Sequence, residues 1–246
     1  MAWDQAEQQS FSALAPVHQV RAAKRELGQR LLGSTISLSD RAWQEPSRLP
    51  GWTRAHVATH IARNADALVR SVDSVLSGRR GLMYDSADDR ETAIERGSER
   101  TGLDLQIDLD TTIGRLARRL NVLESTPPEL MVELVPGCLF RMDLLPVIRL
   151  NEIVLHHIDL DCGYEVEDIE PHVAAWLVQW NLLGIEWDRW VSIELRSASG
   201  WSHRLGEAGE VEVIEGDDSL LLGWLTGRLD QVRAAGFPPS PAPTCC

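Results

Sequence analysis

The chain has 246 residues, 43% of them hydrophobic, and 37 acidic side chains against 24 basic ones, a formal net charge of -13. That is ample apolar material for a packed core in one large domain or two smaller ones, while the acidic balance argues against nucleic acid, which is held by clustered Lys and Arg, and against anionic lipid. No stretch approaches the roughly 20 apolar residues that span a bilayer, and the first residues, with Asp4 and Glu7, lack the apolar run of a signal peptide, so the expected address is the cytoplasm.

From Phe11 to Leu31 the residues Phe11, Leu14, Val17, Val20, Leu27 and Leu31 keep mostly to a three or four spacing, which predicts an amphipathic helix whose true first turn Pro16 marks. A loop rich in Ser, Asp and Pro runs to Pro50-Gly51-Trp52, where Thr53 is placed to cap a helix over 53–78. The stripe of that helix is Val57, Ile61, Ala65, Leu68, Val72 and Val75. At about 100° per residue His60 lies beside this stripe and His56 further round, so His60 is the better placed to face a partly buried site. Residues 85–102 read as a polar connection. Leu109, Ile113, Leu116, Leu120 and Leu123 then mark a third helix, stopped by Pro127-Pro128, and 130–139 gives no clear period.

The stretch 143–160 predicts a helix apolar on two sides, with Leu145, Ile148 and Leu155 near the Glu152 and His156 face and Val147, Leu150, Val154 and Ile158 opposite. A helix of that kind is buried. An ionised Glu152 on it carries a large desolvation cost unless a cation or several donors sit beside it. Glu152 and His156, four apart, share one face, and His60 from another helix would complete a His/Glu set with one position left open. That is the donor arrangement of a catalytic zinc, and the interior of a helical bundle is a usual place for it.

Beyond Gly163, residues 171–190 predict a helix with Trp176, Trp180, Trp187 and Trp190 on one face, read as core. Val191, Ile193 and Leu195, and later Val211 and Val213, alternate with polar residues around a Ser199-Gly200 turn and predict short strands. A last amphipathic helix is expected over 219–232, followed by a Pro-rich tail. Cys138, Cys162, Cys245 and Cys246 show no CxxC spacing, so they are expected to form neither a zinc site nor a disulfide framework. The expected organisation is a helical domain over 1–165, a small α/β domain over 166–236 and a tail over 237–246.

Four segments carry a family resemblance. Gly51-Trp52-Thr53-Arg54-Ala55-His56-Val57-Ala58-Thr59-His60 with Ile61-Ala62-Arg63-Asn64-Ala65, Met83-Tyr84-Asp85-Ser86 with Arg90 and Gly97-Ser98, Asn151-Glu152-Ile153-Val154-Leu155-His156 with His157-Ile158-Asp159-Leu160, and Trp224-Leu225-Thr226-Gly227-Arg228 together resemble the mycothiol-dependent maleylpyruvate isomerase family. The resemblance implies a DinB-like four-helix bundle followed by a small α/β domain similar to sterol carrier proteins. It implies Zn2+ on His60, Glu152 and His156, mycothiol as the thiol cofactor, and Arg228 completing the active site from the carboxy-terminal domain; Arg90 matches a further arginine of the family.

The implied reaction is thiolate addition to the cis double bond of maleylpyruvate, rotation about the resulting single bond, and elimination to fumarylpyruvate. The partners implied are mycothiol and an anionic small-molecule substrate, with Arg228 suited to a substrate carboxylate. Other readings stay open on the residues alone. The same zinc and thiol apparatus serves a mycothiol S-transferase or thiol-exchange enzyme acting on an electrophilic small molecule or natural-product precursor, and the bundle also serves a non-catalytic zinc-sensing module. His60 also reads as a boundary histidine, Glu152 as the ion-pair partner of Arg149 or of an arginine on another helix, and Arg228 as a cation favoured at a helix carboxyl end. His157 reads as packed or solvated.

Overall fold

The structure, a computed structural model, describes residues 5–84, 86–127, 130–185, 187, 192–207 and 209–229. The chain divides into two compact units, Met1–Tyr164 and Glu165–Cys246.

In the first unit the helices are α1 (Gln5–Leu14), α2 (Val17–Thr35), α3 (Asp40–Trp43), α4 (Arg54–Leu76), α5 (Ala87–Ser98), α6 (Gly102–Arg119) and α7 (Leu145–Asp159). The four long ones close a ring: α2 packs on α6 and α7, and α4 packs on the same two. Leu27, Leu31, Leu68, Leu109, Leu116, Leu150 and Ile153 are buried on them, so the predicted apolar stripes face inward.

The helix expected from Phe11 to Leu31 is two helices. Pro16 stands extended (φ -58, ψ 127) as the residue before α2; it has no N–H to donate and disfavours helical backbone in the residue before it. The loop that follows contains α3, where Ser39 Oγ accepts from the Ala42 N–H at 3.2 Å. Gly51, at φ 81, turns the chain into α4 through a conformation that side chains rarely adopt. Thr53 then closes the start of α4 against its third residue: the Thr53 N–H donates to His56 Nδ1 at 3.2 Å.

The expected polar connection is largely α5. Ser86 Oγ caps it by accepting from the Asp89 N–H at 3.0 Å, and Ile94 is its one buried large apolar side chain. With a single apolar anchor the helix has no stripe to read. At Gly97 an added Cβ would stand 2.2 Å from Thr59 Cγ2, so α5 lies directly on α4. The helix α6 continues as a 3-10 turn over Leu120–Glu124 before Pro127; Pro128 lies outside the described residues.

The aperiodic segment is a hairpin of β1 (Met131–Val135) and β2 (Cys138–Arg141), paired antiparallel with Val132 opposite Phe140. Gly137 takes φ 83 at its turn. In the second unit α8 (Pro171–Leu183) and α9 (Asp218–Leu225) accompany a sheet of order β4-β3-β5. In that sheet β3 (Ser192–Ser197) runs antiparallel to β4 (Ser202–Leu205) and parallel to β5 (Val211–Gly216). Ile193, Leu195, Ile214, Leu221 and Leu222 are fully buried there.

Two helix ends in this unit are corrected. The helix α8 stops at Leu183 before Gly184, so Trp176 and Trp180 share it while Trp187 lies beyond, its ring 6.3 Å from that of Trp224. The strand expected at Val211 and Val213 is β5, with those two side chains exposed and Ile214 supplying its buried contact. The last helix ends at Leu225, seven residues short of the expected 232. Asp85, Trp190, Val191, residues 230–232, the tail 237–246, Cys245 and Cys246 lie outside the described residues. Among the described residues Cys138 and Cys162 form no disulfide. No helix among the described residues is long and apolar enough to cross a membrane.

Candidate metal centre

His60 comes from α4, and Glu152 and His156 from consecutive turns of α7. Their nitrogen and oxygen ligand atoms all lie within 4.8 Å of one another. His60 Nε2 is 3.0 Å from Glu152 Oε2, and His156 Nε2 is 3.6 Å from the same oxygen. The two imidazoles meet edge to face with centroids 4.5 Å apart, and the Trp52 ring stands 5.7 Å from that of His60.

Two ties hold the facing helices in register around this cluster. In the first turn of α4, Arg54 donates to the carbonyls of Leu160, at 2.8 Å, and Asp161, at 3.0 Å, just past the end of α7. On the other side, buried Arg149 of α7 donates through Nη1 to Asn64 Oδ1 of α4 at 2.7 Å. Arg149 gives this hydrogen bond to Asn64 and none to Glu152, whose carboxylate is hydrogen-bonded to His60, while Arg149 and Glu152 still attract each other through their charges.

A further layer orients the ligands. His156 Nδ1 is 2.8 Å from Asp159 Oδ2. Arg90 of α5 donates from Nη2 to His60 Nδ1 at 3.2 Å, and its guanidinium carbon lies 5.9 Å from the centroid of the Tyr84 ring. The Tyr84 hydroxyl is buried without a hydrogen-bond partner among the described residues.

Charges at the site follow from these contacts. Burial opposes the charge on Glu152, but the hydrogen bonds from His156 and His60 outweigh it and hold the carboxyl well below its usual range. Burial lowers the pKa of His60, with Glu152 only partly offsetting it. Burial also opposes protonation of His156, yet Asp159 and Glu152 together raise its pKa. An ionised carboxylate, a neutral imidazole and a second imidazole converging from two helices suit a divalent cation of zinc type, which takes nitrogen and oxygen donors together. The donor set therefore fits the ion implied by the resemblance.

The structure thus brings together His60, Glu152, His156 and Arg90. Arg228 belongs to the second unit, where its N–H donates to the Gly223 carbonyl at 2.8 Å and its Nη1 to the Thr226 carbonyl at 2.7 Å. That is the helix-end contact expected of a cation beside free carbonyls. His157 is packed, its ring stacked on Tyr164 at 4.1 Å and its Nε2 3.0 Å from Ser34 Oγ. Asp159 and Arg149 carry positions around the site that sequence reading did not assign; for Asp159 the signal was its place three residues after His156.

Residues 24–161 match the family model described as Mycothiol maleylpyruvate isomerase N-terminal domain, a span that includes His60, Arg90, Glu152 and His156. Two solved structures share the fold: the crystal structure of the mycothiol-dependent maleylpyruvate isomerase, with a TM-score of 0.81, and that of a histidine-to-alanine mutant of the enzyme, with a TM-score of 0.80. Each is 20% identical to this chain, and each match covers 95% of this chain and 98% of the other. No curated protein matches the sequence.

Proposed function

Because the chain belongs to the mycothiol maleylpyruvate isomerase family, we propose that it is a mycothiol-dependent enzyme that converts maleylpyruvate to fumarylpyruvate. Its zinc ion would be held by His60, Glu152 and His156. The observation that carries this reading is the convergence of those three donors within 4.8 Å on two facing helices, with an arginine at hydrogen-bond distance from one of them. When bound, zinc supplies positive charge that favours the ionised form of a thiol and polarises a substrate oxygen.

The protein's own residues do the rest. Glu152 enters ionised and His60 neutral; with Arg90 donating to Nδ1, the His60 proton lies on Nε2 toward Glu152 and must move off that nitrogen before it offers a lone pair. Asp159 holds His156 Nδ1 and leaves Nε2 toward the cluster. Arg90 supplies a cation at the edge of the site, and Arg228 is assigned to a substrate carboxylate, which a guanidinium binds through two parallel hydrogen bonds. A dianionic substrate needs such local cations on a chain whose net charge is -13. The reaction type is addition of a thiol to the cis double bond, rotation, and elimination, which replaces a prohibitive rotation by easier steps. On the same reading 1–165 is a DinB-like metal-binding domain, 166–236 a sterol-carrier-like α/β domain and 237–246 a tail, and the enzyme works in the cytoplasm.

The test follows the absorbance of maleylpyruvate on mixing with zinc-loaded protein, with and without mycothiol. Thiol-dependent loss with formation of fumarylpyruvate is expected. Absence of conversion by protein that holds zinc overturns the isomerase assignment and points to thiol transfer onto another electrophile.

A further inference from the structure

A second group of cations lies in a cleft between α2 and α6. Arg21, Lys24 and Arg25 line it from α2, and Ala117, Arg118 and Asn121 from α6 and the turn that follows. The cleft holds about 210 Å3, and its lining includes no carboxylate. Arg21 is already engaged, donating to Glu124 Oε1 at 2.8 Å and to Asn121 Oδ1 at 2.5 Å.

Lys24 is different. It is 6% exposed, and among the described residues its ammonium has neither an ion pair nor a hydrogen bond. Its stem is packed among apolar neighbours, and what exposure it keeps opens into the cleft that it lines. Burial pushes its pKa down to about 8, and Arg149, Arg21 and Arg25 push in the same direction. Arg25 and Arg118 stand exposed at the rim, also without an ion pair among the described residues. An ammonium so little exposed in a cleft lined by three arginines is costly unless something anionic offsets it. On a chain of net charge -13 it is also a local reversal of sign, of the kind that gathers anions.

We propose that this cleft binds a phosphorylated small molecule, whose phosphate is shared by Lys24, Arg25 and Arg118. A phosphate group carries close to two charges and several acceptor oxygens, so three cations can share it. A carboxylate would satisfy one guanidinium and leave the others unpaired. The site is separate from the metal centre and does not depend on the isomerase reading.

Calorimetric titration of the full-length protein with inorganic phosphate at low salt tests this. Saturable one-to-one binding is expected, at least tenfold weaker in an Arg25→Gln/Arg118→Gln double variant and unchanged in Arg90→Gln. At about pH 8.5 the phosphate is already dianionic. The groups facing Lys24 are Arg21 and Arg25 on its own helix, Arg118 on α6 and Arg149 on α7, and arginines stay protonated at that pH. Binding should then take up a proton, read as a dependence of the heat on buffer ionisation enthalpy, and the uptake should vanish in Lys24→Met. No saturable heat, binding that survives the double variant, or binding lost in Arg90→Gln would each overturn the assignment, the last by placing the phosphate at the metal centre.

Discussion

His156 Nδ1 lies 2.8 Å from Asp159 Oδ2, and the Asp159 carboxylate is almost wholly buried. The two residues are three apart at the end of α7, so the helix itself sets the pair. A buried carboxylate on Nδ1 holds the ring proton there, which leaves the Nε2 lone pair toward the cluster as a ligand atom. Asp159→Asn should therefore lower zinc affinity by about 10–100-fold with little change in the helical circular dichroism. Chelator competition measures this, and an unchanged affinity removes Asp159 from the support of the site.

The raised pKa of His156 gives the metal site a pH dependence of definite sign. A folded-state pKa above 6.5 means that the metal-free protein gains stability from protonated His156 at low pH and loses it as pH rises through the folded value. Zinc must displace that proton. Affinity should accordingly rise with pH until His156 is neutral, with a proton released on binding near neutrality. Glu152→Ala and His156→Ala should retain no zinc in elemental analysis; full metal content in both variants would falsify the ligand set.

Much of this site was legible in sequence because helical period alone carries Glu152 and His156 to one face and His60 to the edge of another stripe. The long helices were legible for the same reason. What escaped were elements whose burial is slight or whose signal is not periodic. The helix α5 has Ile94 as its one large buried apolar residue, and the hairpin at 131–141 is too short to show alternation. The break at Pro16 was visible, but the turn before it also packs, with Phe11 and Ala15 buried, so the periodic residues ran across it. The role of Arg149 depended on Asn64 of a facing helix, 85 positions away, which no local pattern contains.

Gly97 shows how a short sequence feature reaches the site through packing. An added Cβ would stand 2.2 Å from Thr59 Cγ2, next to His60 on α4, so Gly97→Ala must push α5 outward. Overpacking of this kind costs about 1–3 kcal/mol. Because α5 also carries Arg90, the variant should lose turnover beyond what its stability explains while still retaining zinc. Chemical denaturation together with kinetics separates the two effects, and wild-type turnover would show that the seating of α5 on α4 is not needed.

Arg228→Ala should keep its zinc and lose turnover, if the guanidinium meets a substrate carboxylate. The contact of Arg228 with the Thr226 carbonyl supplies the rival outcome: a residue that only closes α9 would, when removed, lower the melting temperature slightly and leave the kinetics intact. Arg228→Lys is informative because it keeps the charge and loses the planar fork. Partial recovery of stability without recovery of turnover favours carboxylate recognition.

Lys24 makes a prediction about stability that needs no ligand. Its pKa is about 8 in the folded chain against 10.5 for the free side chain, so between those values the unfolded chain holds a proton that the folded one has released. Stability then rises with pH across that window, by up to about 3 kcal/mol from this group. Below pH 8 both states are protonated and the full cost of burying the charge is present. Lys24→Met, which keeps the stem and removes the charge, should be more stable than the wild type at pH 7, and the difference should shrink as pH approaches 10. Urea denaturation of both proteins at the two pH values decides it. A constant difference would mean that the ammonium is as fully hydrated in the folded state as in the unfolded one, and the case for an anion in the cleft would lose its electrostatic basis.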